Sequence, residues 1–512
     1  MKNLVLVLSM LVASIGNSQI TPDLYSWKIN LNGATGYNGI AADVQQIRYS
    51  ANFTYVSSTG IPSYTIGPWA MNPNLPSNQN WTFKIARFPV ADPTPTTAGN
   101  GQIGVLINGV VLFNPGDAMS YNNQNIWHRV AQYFEAVSFD TSGGHPAPGG
   151  VYHYHINMKK LYAPNASEHS PILGYMFDGF PLYGPYAYSN TNGTGGIRRM
   201  KSGYKKRNIT TRTTLPNGTV LPPSQFGPAV SSSYPLGCFI EDYELSASGT
   251  DLDSHNGRFS VTPDYPSGIY AYFIALDSLG NPEFPYIIGN TFYGEVVAGN
   301  TGPGGGHVTI TEPVNQFAPK YLTLSALLQG FYDQNSNSMT PDTLRVYLRN
   351  NFSPYSIVDS AKAKLGSGGT GSFIFANASN NTPYYIQIKH RNTIDTWSSV
   401  AVSFVNSVMS YDFTSAAGNA YGNNMKQVDN SPLEFAAYSG DVNQDGSIEA
   451  SDLSAIDNAV FGFATGYISA DITGDGTVDA SDASITENNA FNYVGRITPV
   501  SLESDGGLRI NP

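Results

Sequence analysis

Apolar and polar residues alternate in short runs over most of this chain, with glycine, proline and asparagine clusters between them, which is the two-residue period of half-buried strands. Between residues 20 and 300 the runs Ile103 to Phe113 and Tyr270 to Ala275 sit among abundant Tyr, Gly and Pro. From about Tyr321 to Phe413 the runs LRVYLRN, GSFIFAN and YYIQIKH alternate between turn clusters, as in a small β-sandwich. His390, closing the last run, has no partner pattern and is expected at the surface. The period changes near the C-terminus. Leu453, Ile456 and Val460 fall at i, i+3, i+7 and predict a helix, with a more polar copy at Ala483, Thr486 and Ala490. The expected fold is therefore mainly β. A large β-rich domain spans 20–300, and a flexible glycine-rich connector, TGPGGGHVT, lies within 301–318. A β-sandwich accessory domain follows over 319–436, then a small α domain over 437–499 and a tail over 500–512.

Composition narrows the setting. Only 12% of the 512 residues are charged, while Gly, Asn, Ser, Thr and Tyr abound, a profile of turn-rich β structure outside a cell. The net charge of −11 argues against nucleic acid as a partner, because phosphate binding needs a basic footprint. Cys238 is the single cysteine and has no internal disulfide partner, so packing and metals must hold the fold. Lys2, the apolar stretch Leu4 to Val12 and the small residues Gly16-Asn17-Ser18 read as a signal peptide over 1–18. No other apolar run approaches the roughly 20 residues of a membrane span, so the expected location is secreted or extracellular.

Two acidic loops carry the most specific chemistry. DVNQDGSIEASD, Asp441 to Asp452, and DITGDGTVDASD, Asp471 to Asp482, offer oxygens at positions 1, 3, 5, 9 and 12, a carbonyl at 7 and a glycine at 6. The first supplies Asp441, Asn443, Asp445, the Ser447 carbonyl, Glu449 and Asp452; the second supplies Asp471, Thr473, Asp475, the Thr477 carbonyl, Asp479 and Asp482. A hard cation that takes six to eight oxygens, calcium, fits that set. Ala450-Ser451-Asp452 recurs as Ala480-Ser481-Asp482, so one loop-helix unit was duplicated. Without a preceding helix, and with aspartate at position 12, the region resembles type I dockerins. That resemblance implies a cohesin-like or cell-surface protein as docking partner.

A second constellation lies in GHPAPGGVYHYHIN, which holds His145, His153 and His155. On a strand His153, His155 and Asn157 share one face, while Tyr152, Tyr154 and Ile156 cover the other. Two imidazoles at i and i+2 can reach one zinc or copper ion, with a further ligand from His145, Asp178, His169 or His255. Hydrogen-bonded histidines that structure a cleft are the alternative. With IGVLINGVVLFNP, HSPILGYMFDGFPLYGPY and HNGRFSVTPDYPSGIYAYF, these residues resemble the YHYH-domain family of secreted proteins over about 20–295. The resemblance implies a module and no particular reaction.

Three function classes remain: a secreted metal-binding protein docked by its tail, a metal-dependent hydrolase acting on extracellular polysaccharide or peptide, and a structural or adhesive matrix protein. RRMKSGYKKR, Arg198 to Arg207, could contact an extracellular glycan or be a solvated loop. No catalytic residue is assigned, since GxSxG, HExxH and phosphate-loop motifs are absent.

Overall fold

The computed structural model describes residues 20–246, 248–302 and 304–499; the signal peptide read over 1–18 and the tail over 500–512 fall outside them. The chain divides into two compact units, one over Thr21–Phe317 and one that begins at Ala318 and carries the acidic loops. Among the described residues no helix is long and apolar enough to cross a membrane.

In the first unit, strands β1 (Val44–Tyr49), β2 (Phe53–Ser58) and β3 (Trp81–Ala86) form an antiparallel sheet. β3 alternates buried and half-buried side chains along WTFKIA, as the period required. The main sheet contains β4 (Gln102–Leu106), β5 (Val111–Phe113), β6 (Gly144–Ala147), β7 (Val151–Tyr154), β8 (Ile172–Met176), β9 (Pro181–Tyr183), β10 (Gly257–Ser260) and β11 (Ile269–Phe273). Their order is β10-β11-β9-β8-β4-β5-β7-β6. β8, ILGYM, is buried at every position, the continuous apolar pattern of a strand covered on both faces. The edge is the β6–β7 hairpin, which carries GHPA opposite VYHY and pairs His145 with His153.

The glycine-rich stretch expected as a connector is packed into this unit. His307 bridges to Thr82, and Asn315–Phe317 pairs antiparallel with β1. At Gly306 a Cβ would lie 2.7 Å from Phe83 and 2.8 Å from Trp81, and φ is +84°. Close approach to two aromatic rings and a left-handed backbone require glycine here.

In the second unit a three-stranded sheet runs in the order Thr370–Phe375, Lys320–Ser325, Val408–Asp412. A second sheet is built on Ile357–Lys364, Thr343–Asn350 and Pro383–Lys389. Leu322, Leu324, Leu344, Val346, Leu348, Phe373, Phe375, Ile386 and Ile388 fill the core between them. His390 corrects its expected surface position: it is buried and shared between Asp342 Oδ2 at 3.0 Å and Asn392 Oδ1 at 3.0 Å. Two helices follow, Ala450–Phe461 and Ala480–Phe491, over a small core of Val442, Ile456, Ala470, Ile472 and Val478.

Candidate metal centre and calcium loops

The β6–β7 hairpin sets the three histidines from one local cause. Register places His145 against His153, and the two-residue period brings His155 to the same side as His153. The Nε2 atoms of His145 and His153 lie 3.1 Å apart, and those of His153 and His155 lie 3.0 Å apart. All three rings are buried. Phe113 stacks on His153 with ring centroids 3.9 Å apart, and Phe139 sets its edge against His145 at 4.8 Å.

The outer nitrogens decide the tautomers. Ser138 Oγ donates to the Glu135 carbonyl at 2.7 Å, so at 2.7 Å from His145 it accepts from Nδ1–H. His153 Nδ1–H donates to the Val151 carbonyl at 3.1 Å, and His155 Nδ1–H to the Asn114 carbonyl at 2.6 Å. Each Nε2 is then a bare lone pair directed at the others. The imidazolium form does not relieve this contact. Burial first, and for His145 and His153 the neighbouring imidazoles second, push the rings well below the usual histidine range, His145 to about 3 and His155 to about 4.

Sequence reasoning missed Glu135. It follows the short helix Ala131–Phe134, and its Oε2 lies 3.4 Å from His155 Nε2 and 3.7 Å from His145 Nε2. That oxygen is buried without a hydrogen-bond partner. Burial, with Asp117 nearby, pushes the carboxyl up to about 7. No local motif announces it. A cavity of about 770 Å³ opens over the histidines, with Asn72, Gln102, Phe113, Phe134, Glu135 and Pro146 among its walls.

The other proposed ligands are held elsewhere. Asp178 accepts from Tyr272 Oη at 2.6 Å, Gly294 N at 2.9 Å and Phe180 N at 3.2 Å, and burial raises its carboxyl to about 6. His255 Nδ1 faces the Thr291 carbonyl at 3.0 Å, and His169 Nδ1 faces the Ser170 carbonyl at 2.8 Å. Asn157 accepts from Tyr162 Oη instead of joining the histidines. Behind the hairpin Tyr152 and Tyr154 gather around Ser142 Oγ at 2.6 and 3.1 Å, so the tyrosines of the motif serve packing and the histidines face the cavity. In the basic run, Arg198 pairs with Asp251, Arg199 with Glu283 and Lys205 with Glu244, while Arg207 is buried on the carbonyls of Thr214 and Glu241.

The acidic loops have the folded form their spacing demands. Asp452 Oδ1 accepts from Val442 N and Asn443 N, and Asp482 Oδ1 accepts from Ile472 N and Thr473 N, tying position 12 back to the loop start. Gly446 and Gly476 turn at φ +98° and +87°. The Ser447–Ile448 segment pairs with residues after the second helix, and Thr477–Val478 with residues after the first, so the duplicated units clasp each other. Asp441 Oδ1 and Thr473 Oγ1, ligand positions 1 and 3, are buried without partners. Burial and the charges of Asp452 and Asp445 raise Asp441 to about 6. Orphaned oxygens within a carboxylate cluster fit calcium, which would supply the missing positive charge.

A family profile described as YHYH protein matches residues 82–287, and the dockerin type I domain profile matches residues 439–489. No curated protein matches the chain. Among solved structures it is similar to an N-terminal interface mutant of the type II cohesin–X–dockerin complex from Acetivibrio cellulolyticus. The identity is 15%, over 34% of this chain and 97% of that chain, with a TM-score of 0.20, and at that score the likeness says nothing about fold or partner. Type I dockerin domains bind calcium. The chain carries a YHYH domain and, C-terminal to it, a type I dockerin domain.

Proposed function

We propose that this is an exported protein whose YHYH domain holds a divalent transition metal, zinc or copper, on His145, His153 and His155. Its calcium-loaded dockerin tail docks it to a cohesin-like or cell-surface partner. The observation that carries the metal reading is a set of three buried Nε2 lone pairs within 4.8 Å of one another, that of His153 only 3.0–3.1 Å from the other two, with their tautomers fixed from outside. Three acceptors with no donor repel, and a cation turns that repulsion into coordination. Metal–nitrogen bonds of about 2.0–2.1 Å put tetrahedral neighbours roughly 3.3 Å apart, so an outward shift of a few tenths of an ångström suffices.

For docking, the support is the duplicated loop-helix unit. Ile456 is buried, so it lies under the face, while Phe461 and Phe491, which close the two helices, and Phe463 and Tyr493, two residues beyond, are 80–94% exposed at corresponding places. Exposed aromatics of this kind suit a protein partner.

Elemental analysis of the purified mature protein in calcium buffer tests the centre. One transition metal per chain is expected. His153→Ala with His155→Ala should lose it, and Tyr152→Phe should keep it, because that ring lies behind the hairpin. A metal-free wild type after growth in metal-replete medium would overturn the reading. The cavity over the histidines favours a second reading, a metal-dependent hydrolase of extracellular polysaccharide or peptide, since a carrier site has no need of a chamber of about 770 Å³.

A further inference from the structure

We infer that Glu135 is the fourth ligand of the centre, making it a site of three imidazoles and one carboxylate. The inference rests on the metal reading above and adds a residue that neither the hairpin nor its motif contains. Oε2 stands 3.4 Å from His155 Nε2 and 3.7 Å from His145 Nε2, the separations of atoms that share one ion and do not touch each other. It has no hydrogen-bond partner although it is shut off from solvent. Arg129 pairs with Asp117 through Nε at 2.7 Å and stacks on Phe134, so its charge eases the burial of Glu135 only in part and makes no ion pair with it. Ser138 ties the two parts together. Its hydroxyl accepts from His145 and donates to the Glu135 carbonyl, so the backbone that carries the carboxylate is fixed to a ligating imidazole.

The three imidazole nitrogens from β6 and the end of β7 lie within 4.8 Å of one another with no donor among them, and Glu135 Oε2 approaches from the side of His145 and His155, so an ion would draw it inward. Three neutral imidazoles with one carboxylate give a borderline set that suits a divalent first-row cation such as zinc or cobalt and contains no thiolate to favour copper(I). The ligated ion keeps a net charge near +1, and the cavity side is where a water or neutral substrate would meet it.

Full-length protein with its tail loops saturated by calcium is titrated with cobalt(II), and with zinc(II) against a chromogenic chelator, for wild type and Glu135→Gln. Wild type is expected to bind one cobalt ion with a four-coordinate visible spectrum. Glu135→Gln should shift that spectrum and weaken both metals by at least 10–100-fold, the range seen even for groups outside the ligand sphere. X-ray absorption of zinc-loaded wild type, independent of any variant, should show three imidazoles and one carboxylate oxygen. Wild type that binds neither metal sinks the metal reading itself. Wild type that binds both, with a Glu135→Gln spectrum and affinity unchanged or an all-imidazole and water shell, overturns the role of Glu135 alone.

Discussion

Arg391 offers a way to measure how far the dockerin depends on the β-sandwich that precedes it. Its guanidinium, about one-seventh exposed, reaches Asp342 Oδ2 through Nε at 3.2 Å and Asp471 Oδ2 through Nη2 at 3.4 Å. Nη1 donates to the carbonyls of Ile468 and Asp471, and the group lies 4.5 Å over the Tyr467 ring. Arg391→Ala therefore removes a cation from two buried carboxylates and two carbonyls at the entrance of the second loop. Breaking a buried pair from one side costs about 3–5 kcal/mol. The lower end applies here, because Asp342 keeps His390 and Tyr467, and calcium can satisfy Asp471. About 3 kcal/mol is roughly a 150-fold increase in local opening. Hydrogen exchange followed by mass spectrometry on the full chain in calcium should show that increase in peptides over 464–478 and 388–395. Protection of Thr21–Phe317 should stay unchanged. Exchange over 464–478 within twofold of wild type would refute the reasoning, since the clamp would then contribute nothing to holding the loop.

Asp441→Ala with Asp471→Ala, or a chelator, should melt the tail. Each site at a thousandfold calcium excess over Kd stabilises by about 4 kcal/mol, so a calorimetric trace unchanged by chelator would refute the calcium assignment. Loosening should spread to Pro383–Lys389, because Asn392 donates to the Asp471 carbonyl and accepts from Gly440 N. Asp342→Asn should show a pH-dependent cost. Burial alone would raise this carboxyl, but hydrogen bonds from His390 and Tyr467 outweigh it and hold it at about 2, against about 3.9 unfolded. A depressed carboxylate stabilises fully above about pH 4 and loses that contribution as pH falls toward 2; the ceiling of about 2.6 kcal/mol drops to about 1–2 with solvent screening. The stability gap between wild type and Asp342→Asn should close over that interval, and a gap constant from pH 7 to 2.5 would contradict the assignment.

Much of this was legible because it is local. The calcium loops are set by twelve-residue spacing, and their glycines, turns and position-12 aspartates fold back on the same segment. His390 was misjudged against a signal already present: it follows directly on the strand Pro383–Lys389 and keeps the parity of Tyr384, Ile386 and Ile388, so the face that buries the isoleucines also buries the imidazole. The glycine-rich stretch TGPGGGHVT over 301–309 was read by composition as a flexible connector. Glycine also permits close packing, and at Gly306 the need is set by Trp81 and Phe83, more than two hundred residues earlier.

The candidate metal centre divides along the same line. His145, His153 and His155 were readable together because a hairpin converts a separation of eight residues into adjacency, and a strand does the same for two. Asp178 and His255 have equal chemical claims by residue type. Their places follow from long-range partners, Tyr272 and Gly294 for one and Thr291 for the other, which no spacing reveals. Glu135 is the converse: an unremarkable carboxylate in AQYFEAVS whose Oε2 tertiary packing deprives of water and of a hydrogen-bond partner. What marks it is the sum of its neighbours' commitments, since the Ser138 hydroxyl is spent on the backbone and on His145, Arg129 pairs with Asp117, and both adjacent imidazoles present lone pairs. A buried polar group left without a donor costs about 1–3 kcal/mol, more when charged, and a cation among these ligand atoms would remove that cost for all of them at once.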